Sequence, residues 1–467
     1  MRSPLEVGIN EESSHHTRIQ KNHPPELVIG GISSPMITRN QSRLQELQDK
    51  QHTVLSCFLS QIEPKKDERG IVIRNKARLV AQGYTQKEGI VYEEVFAPVA
   101  RVEEIRLFLA YASYIKFKVY QMDVKSAFLY GTIDEEVYVC LPPGFENPSY
   151  PDTVYKQKKT LYGLHQAPRA WYDTLSTHLL ENGFERGIID KTLFIKRSKN
   201  GIQLVQIYVD DIIFGYTKEQ MCRDFEELMH KSFKMSAMGE LTFFLRLQVK
   251  QQKDGIFISQ SKYVKDILDK YGLSDSKPAS TPMETHKHIT ADLEVEDVDV
   301  HLYRSMIGSL MYLTAPRPDI MFPLRVCARF QVKPKQSHLQ AVKRIFRYLR
   351  GKPRLGLWYA YESTFDLIAY SDSDLGGANM DKKSTSEDEY IAAASCCSQV
   401  LWIQNQMLHY GVTFLHTPIF IDNSSAIIIV NNPVKHSKTK HIEIRKCIAL
   451  LRLTQASESV SIVNTAG

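Results

Sequence analysis

The chain has 467 residues, of which 43% are hydrophobic and 24% charged, and its formal net charge is +6 at pH 7. Such a composition is that of an ordinary globular protein, long enough for two or three domains. No run approaches 18 apolar residues and the first residues lack a signal-peptide pattern, so we expect no membrane span and a cytosolic or nuclear setting. The seven cysteines include no C-x-x-C pair, which argues against a zinc site and favours reduced thiols.

The pattern of the chain changes after its first part. Residues 1–66 are rich in His, Pro, Ser and Gln, and we expect a poorly ordered arm there. Residues 204–216, LVQIYVDDIIFGY, predict two strands around an acidic pair, because β-branched and aromatic residues flank an Asp-Asp turn. Helical patterns cover residues 101–114, 168–184, 219–233, 303–314, 337–352 and 389–408. The mixture predicts an α+β fold.

One of these predicted helices is strongly basic. Leu339, Val342, Phe346 and Leu349 recur at helical spacing, so the helix is expected to bury an apolar stripe and to expose its lysines and arginines. A basic face of this kind either binds nucleic-acid phosphates or is simply a solvated helix surface. The candidate nucleic-acid-binding residues are Lys343, Arg344, Arg347 and Arg350.

The acidic pair Asp210-Asp211 is the first candidate for chemistry. Two carboxylates in an apolar strand turn repel each other, and burial penalises their charge unless a cation neutralises it. Mg²⁺ prefers oxygen ligands and usually takes one or two carboxylates together with substrate phosphates. Asp123 is a third carboxylate that a neighbouring strand could bring to the same place. Taken alone, an Asp-Asp turn is more often a solvent-exposed hairpin tip.

Longer sequence motifs favour the interpretation of Asp210-Asp211 as part of a metal site. From about Asn75 to about Arg445 the chain resembles the copia-type reverse transcriptase family, and the matching phrases keep the family's order: KARLVAQGYTQKEGI, VFAPVARVEEIRLFLAYAS, QMDVKSAFLYG, LYGLHQAPRAWY, YVDDIIFG, MGELTFFL, ISQSKYVKDIL, YRSMIGSLMYLT and RPDI. The resemblance implies a right-hand polymerase of fingers, palm and thumb, with an antiparallel sheet in the palm, followed by an α/β domain similar to ribonuclease H (RNase H).

The same resemblance implies cofactors and partners. Each active site would use two Mg²⁺ ions, with Mn²⁺ as an alternative. The partners would be an RNA template, a DNA primer, their RNA–DNA hybrid and deoxynucleoside triphosphates, with no membrane. The expected location is a cytoplasmic virus-like particle, with the nucleus as the alternative.

Individual positions match the roles of the polymerase family. Asp123, Asp210 and Asp211 match its metal-binding carboxylates. Phe128 matches the bulky residue that crowds a ribose 2′-hydroxyl, although as an isolated residue it would be plain core. The other matches lie near the triphosphate, the template or the nucleotide pocket: Lys76, Arg78, Gln166, Pro168 and Arg169. Lys76 and Arg78 fit an exposed strand edge equally well, and Trp171 is expected to pack.

The C-terminal region resembles RNase H, whose acidic residues hold two Mg²⁺ ions that activate a water against an RNA phosphodiester. The matching positions are Asp372, Glu389 and Asp422, expected as metal ligands, and Glu443 as the fourth acidic residue. Each of them alone is a common kind of surface residue. The ordered set in a matching scaffold carries the assignment.

The sequence also departs from the family. Upstream of Lys66 it lacks the family's tryptophan-containing segment. The phrase KSTS runs directly into EDEY at residues 383–390, so two middle strands of the RNase H sheet are expected to be missing and the opening strand to have an unpaired edge. Arg246 stands where the family has glycine, a residue normally tied to a close approach or an unusual φ.

These observations predict four parts: an arm at 1–66, fingers and palm at 67–276, thumb or connection helices at 277–364, and an internally deleted RNase H-like domain at 365–467. Residues 277–300 read as a linker. Three functions stay open: an active RNA-directed DNA polymerase with impaired RNase H, a catalytically inactive remnant that only binds nucleic acid, and an unrelated metal-dependent hydrolase.

Overall fold

The structure is a computed structural model. It describes residues 94–140, 148–150, 153–199, 201–284, 294–371 and 386–421, with shorter pieces at 36–37, 63–66, 72–76 and 460–464 and single positions at 80, 81, 83, 86, 92 and 289. Most of the arm predicted at 1–66 therefore lies outside the described residues.

Eight helices and eighteen strands make up the described part of the chain. The strands are β1 (Met36–Ile37), β2 (Glu63–Lys66), β3 (Val72–Lys76), β4 (Val119–Val124), β5 (Tyr138–Cys140), β6 (Thr153–Lys156), β7 (Glu185–Arg186), β8 (Leu193–Ser198), β9 (Gly201–Tyr208), β10 (Asp211–Tyr216), β11 (Met235–Glu240), β12 (Phe243–Phe244), β13 (Leu247–Gln251), β14 (Gly255–Ser259), β15 (Gly356–Ala360), β16 (Ala369–Ser371), β17 (Thr417–Ile421) and β18 (Val460–Asn464). The helices are α1 (Val102–Ile115), α2 (Ala167–Glu181), α3 (Glu219–Ser232), α4 (Ser261–Lys270), α5 (Val300–Leu313), α6 (Met321–Ala328), α7 (Gln336–Gly351) and α8 (Ser386–Tyr410).

The chain divides into two compact units. One contains Met1–Val99, Val124–Phe184 and Tyr208–Asp210, and the other contains Ala100–Asp123, Glu185–Ile207 and Asp211–Gly467. The four-part division expected from the sequence stays a prediction.

The first unit is built from small sheets and helix α2. Its strands form a three-stranded sheet in the order β1–β6–β5 and a separate hairpin of β2 and β3. Helix α2 has a proline in its first turn, and its C-cap Asn182 is followed by Gly183 at φ +80°. The helix therefore ends where the Asn-Gly pair predicts, since glycine adopts positive φ without steric cost. A short 3₁₀ turn, Ala127–Tyr130, completes the described core of this unit.

A six-stranded sheet in the order β11–β4–β10–β9–β8–β7 is the main sheet of the second unit. Antiparallel pairing joins β4 to β10, β8 to β9 and β7 to β8. The strands predicted on either side of Asp210-Asp211 are confirmed as β9 and β10, whose middle residues are buried. Helix α1 also forms as predicted, and the Glu104 carboxylate caps it by accepting the Arg101 N–H at 2.6 Å.

Four further helices and a second sheet follow in the same unit. Strands β12, β13, β14 and β15 form a sheet in that order. The helices α4, α5, α6 and α7 share one apolar core, in which Tyr303, Leu310, Val342 and Phe346 are fully buried. The helical periods at 303–314 and 337–352 are thereby confirmed, because the apolar stripes do meet in one core.

The C-terminal part combines helix α8 with a parallel sheet in the order β16–β17–β18. Among the described strands β16 lies at one edge of this sheet, and the absence of the middle RNase H strands stays a prediction. Helix α8 meets helix α1 at its end, where the Tyr111 hydroxyl donates to the Tyr410 carbonyl oxygen at 2.9 Å. In the part of the chain that the structure describes, no helix is long and apolar enough to cross a membrane.

Candidate functional site

The turn between β9 and β10 consists of Val209 and Asp210. Val209 has φ +56°, in the left-handed region. A β-branched residue is a genuine outlier there. Such a conformation costs on the order of 1–3 kcal/mol and persists only where its surroundings enforce it. The acidic pair therefore follows a strained backbone position.

Two hydrogen bonds fix this turn within the first unit. The Trp171 indole Nε1–H donates to the Val209 carbonyl oxygen at 2.6 Å. The Val124 backbone N–H donates to the Asp210 carbonyl oxygen at 2.9 Å. Both carbonyls of the turn are thus held by donors from elsewhere in the sequence.

Asp123 and Asp211 face each other in the second unit. They are direct Cα partners of the antiparallel pair β4–β10. Directly opposite residues of such a pair have Cβ atoms about 4.5–5.5 Å apart on the same face of the sheet. Both side chains are half-buried, and the Gln121 side-chain amide donates to Asp211 Oδ1 at 3.1 Å. The pairing of Asp123 with the acidic hairpin, which the sequence could only suggest, is present.

The facing pair supplies two hard oxygen donors, which suits Mg²⁺, since this ion usually takes one or two carboxylates and completes its shell with water and substrate phosphates. Among the described residues, no three His, Cys, Asp or Glu side chains lie close enough together to hold a metal ion. Asp210 is joined to Asp211 by one peptide bond, and its role as a third ligand stays a prediction.

Phe128 lies in the 3₁₀ turn Ala127–Tyr130 of the first unit. Its ring is half-buried, with its centroid 5.0 Å from that of Tyr162. Its carbonyl oxygen accepts a hydrogen bond from the Thr160 hydroxyl. Ring and backbone are therefore both held in place, and the steric role of Phe128 beside the nucleotide stays a prediction.

Gln166, Pro168 and Arg169 lie at the beginning of helix α2. Gln166 is 2% exposed and accepts a hydrogen bond from the Gln86 side-chain amide at 2.9 Å. Arg169 is bound on both sides, to Asp173 Oδ2 at 2.7 Å and to Glu94 Oε1 at 2.9 Å. The hydrogen bond to Asp173 is the main cause of a raised pKa at Arg169. Gln166 and Arg169 thus bind other side chains of the same unit, and the contact of all three residues with a template or nucleotide stays a prediction.

The predicted basic face of α7 is less uniform than its sequence. Lys343 is exposed, whereas Arg347 and Arg350 are half-buried. Arg344 contacts Glu284 Oε1 at 3.0 Å and donates to the Thr281 carbonyl oxygen at 3.2 Å. Residues 277–300 are predicted to be a linker. Their described part contacts α7, because Arg344 forms an ion pair with Glu284 in this segment.

The remaining predicted positions lie at or beyond the edge of the described residues. Strand β3 ends at Lys76 and helix α8 contains Glu389, but their side chains are outside the described part. The positions that lie wholly outside it are Arg78, Asp372, Asp422 and Glu443. Ser371 and Ile421 are register partners in the parallel pair β16–β17. Asp372 and Asp422 are the residues that directly follow these two partners in the chain.

The chain has relatives among known proteins. Residues 56–285 match the family described as "Reverse transcriptase (RNA-dependent DNA polymerase)". The chain is 35% identical to the Retrovirus-related Pol polyprotein from transposon RE1 of Arabidopsis thaliana, over 94% of this chain and 32% of that protein. It is 31% identical to the corresponding polyprotein from transposon TNT 1-94 of Nicotiana tabacum, over 82% of this chain and 31% of that protein.

A shorter relative is matched over most of its length. The putative transposon Ty5-1 protein YCL074W of Saccharomyces cerevisiae is 30% identical, over 55% of this chain and 83% of that protein. The chain spans only about a third of the two longer polyproteins, 32% and 31% of their lengths.

Proposed function

The chain belongs to the reverse transcriptase family of the copia-type retrotransposon Pol polyproteins, and on that premise we propose that it is an RNA-directed DNA polymerase that adds deoxynucleotides to a primer. The observation that carries this proposal is the facing of Asp123 and Asp211 across β4 and β10. Two carboxylates so placed are unfavourable without a cation and suit a magnesium site.

The proposal assigns a separate role to each group of residues. Asp123 and Asp211, with Asp210 as the proposed third ligand, would hold the metal ions. Mg²⁺ bound there would supply activation of the primer 3′-hydroxyl and neutralisation of charge on the leaving pyrophosphate. Phe128, fixed by the Thr160 hydroxyl and by the Tyr162 ring, restricts the space beside C2′ of the incoming sugar. The beginning of α2, clamped to Gln86 and Glu94, borders the nucleotide pocket.

Primer extension on poly(rA)/oligo(dT) with Mg²⁺ tests the proposal. The purified chain should incorporate dTTP, and the variant Asp210→Asn should not. Incorporation by the unaltered chain that does not exceed that of the variant would overturn the proposal.

We propose further that the RNase H region acts weakly. Strand β16 ends at Ser371 and helix α8 begins at Ser386, so residues 372–385 are all that separates them. Cleavage of the RNA strand in a labelled RNA–DNA hybrid should therefore be slow compared with primer extension. Rapid cleavage that is lost in Asp422→Asn would refute this part of the proposal.

A remnant that only binds nucleic acid is the second candidate, and the internal deletion expected in the RNase H region is what favours it. Exposed Lys343 would then contribute one phosphate contact and Arg344, already paired with Glu284, none. A salt titration of hybrid binding separates the two residues, because each lost phosphate contact lowers the slope by about one. Lys343→Gln should lower the slope and Arg344→Gln should not.

A further inference from the structure

Trp171 is a buried tryptophan whose indole N–H binds at the turn before the acidic pair. The side chain is 1% exposed, and a buried indole N–H requires an acceptor. Its acceptor is the carbonyl oxygen of Val209, at 2.6 Å. The sequence predicts packing for this residue, and packing alone does not explain such a short, directed contact.

Val209, the acceptor residue, has the strained backbone that a hydrogen bond can stabilise. Val209 holds φ +56°, a conformation that branched side chains avoid. A hydrogen bond to its carbonyl oxygen fixes the peptide plane that joins Val209 to Asp210. The direction in which the Asp210 side chain leaves the turn depends on that plane.

Trp171 is itself held firmly. Its ring packs against Tyr130, with centroids 6.0 Å apart. Gly131 lies so close to α2 that an added Cβ would come within 2.9 Å of the Trp171 backbone nitrogen. Only glycine permits that approach, so the 3₁₀ turn that carries Phe128 lies directly against the helix that carries Trp171.

We propose that Trp171 is a positioning residue for the metal-binding Asp210, acting through its hydrogen bond to the Val209 carbonyl oxygen. This inference rests on the proposed function, since it assigns Asp210 to the metal. It adds that the affinity of the site for a divalent ion depends on an indole N–H that itself touches neither metal nor substrate.

The test compares Trp171→Phe, which keeps an aromatic ring and loses the N–H, with Trp358→Phe, which alters a half-exposed tryptophan of β15. The readout is Mn²⁺ binding to the full chain, measured from the free-ion signal in electron paramagnetic resonance. Loss of one hydrogen bond should raise the Mn²⁺ dissociation constant by about threefold to tenfold in Trp171→Phe only. An unchanged dissociation constant in a folded Trp171→Phe would overturn the inference.

Primer extension supplies a second readout. The Mg²⁺ concentration for half-maximal rate should rise in Trp171→Phe, and excess Mg²⁺ should restore part of the rate. A merely structural tryptophan would lower the rate equally at every Mg²⁺ concentration, and that outcome would also contradict the inference. If the unaltered chain binds Mn²⁺ but extends no primer, the polymerase proposal fails and the binding comparison still decides the role of Trp171.

A second variant protects the test against misfolding. Asn tolerates the left-handed conformation better than Val does, so Val209→Asn should need the tryptophan less. In the Val209→Asn background, Trp171→Phe should therefore weaken Mn²⁺ binding by a smaller factor than in the unaltered chain. An equal factor in both backgrounds would show that the hydrogen bond does not act through the strained turn.

Discussion

Asp123 and Asp211 are direct partners across two antiparallel strands, β4 and β10. Like charges in this relationship repel, and a cross-strand pair of this kind changes stability by roughly 0.2–1 kcal/mol. The side-chain amide of Gln121 donates to one of the two carboxylates, at Asp211 Oδ1. The pair is therefore expected to lower the free energy of unfolding of the metal-free protein. It is expected to contribute to function only when a cation is bound.

We accordingly expect Asp123→Asn to raise the free energy of unfolding in EDTA by about 0.5–1 kcal/mol and to abolish primer extension. Mg²⁺ should raise the melting temperature of the unaltered chain and leave that of the variant unchanged. Urea denaturation in EDTA measures the first stability effect, and thermal denaturation with and without Mg²⁺ measures the second. Asp266→Asn, on the exposed face of α4, is the control. A variant less stable than the unaltered chain in EDTA would argue against repulsion.

Phe128→Ala should weaken discrimination against ribonucleotides, because Tyr162 packs against the half-buried ring and the Thr160 hydroxyl fixes the backbone that carries it. Removing a packed group from a binding pocket changes selectivity by about tenfold or more. The ratio of kcat/KM for UTP and dTTP on poly(rA)/oligo(dT) is the measurement. Phe96→Ala, an exposed aromatic residue, should leave the ratio unchanged. If Phe128→Ala discriminates against ribonucleotides as well as the unaltered chain does, Phe128 has no steric role.

The backbone at Arg246 is unusual, which confirms the prediction made from the glycine that the family has at this position. Leu245 and Arg246 form the two-residue connection between β12 and β13, with φ +46° and +62°. Positive φ at both central residues is the requirement of a type I′ turn, for which Asn-Gly is preferred. The guanidinium lies 5.1 Å from the Tyr263 ring centroid, and this contact offsets part of the strain.

Two variants separate strain from that contact, since both remove the guanidinium. Arg246→Gly should be more stable than Arg246→Ala by about 1 kcal/mol, because only glycine occupies positive φ without strain. The same pair at exposed Arg223, within α3, should show the opposite order, since Gly costs about 1 kcal/mol relative to Ala in a helix. Urea denaturation gives the four values. Equal free energies of unfolding for the two Arg246 variants would contradict the proposed backbone strain at this position.

Glu104 predicts a pH dependence of stability. Burial, with a further contribution from the negative charge of Asp190, raises the pKa of the Glu104 carboxyl from 4.5 to about 7. Between these values the folded protein keeps a proton that the unfolded chain has released, so this carboxyl lowers the free energy of unfolding as pH rises from 4.5 to 7. Below pH 4.5 the carboxyl is protonated in both states and contributes no slope.

Glu104→Gln should remove that slope. At pH 8 the variant should gain about 2–3 kcal/mol relative to the unaltered chain, and at pH 4.5 little. The glutamine oxygen can still accept the Arg101 N–H that caps α1. Denaturation at pH 5, 6, 7 and 8 is the measurement, and exposed Glu103→Gln is the neighbouring control. Parallel pH curves for the two variants would refute the assignment.

Tyr111→Phe should loosen the attachment of α8 to α1. The hydroxyl donates to the Tyr410 carbonyl oxygen at 2.9 Å, and the two rings lie 4.8 Å apart. Loss of the donor leaves a buried acceptor unpaired and should cost about 1–2 kcal/mol. Thermal denaturation and limited proteolysis between α7 and α8 measure the effect. Tyr114→Phe, a half-exposed neighbour, should show neither change.

Local features were predictable where one stretch of chain carries its own signal. The strands on either side of Asp210-Asp211 follow from β-branched and aromatic residues around a turn, and α7 follows from the spacing of its buried Leu339, Val342 and Phe346. The unusual backbone at Arg246 follows from the glycine that the family places there. The indole of Trp171 gave a weaker signal, because the sequence says that a buried N–H needs an acceptor but not which one.

The sequence alone determined the family, six of the helices, the two strands around Asp210-Asp211 and the candidate carboxylates, because periodicity, turn chemistry and motif order are local properties. Tertiary structure decided which distant residues meet. It paired Asp123 with Asp211, gave the Trp171 N–H the Val209 carbonyl, and joined Arg344 of the basic helix to Glu284. These contacts depend on how separate elements pack and on which partner satisfies each buried donor or charge, and neither is encoded in any short stretch of the chain.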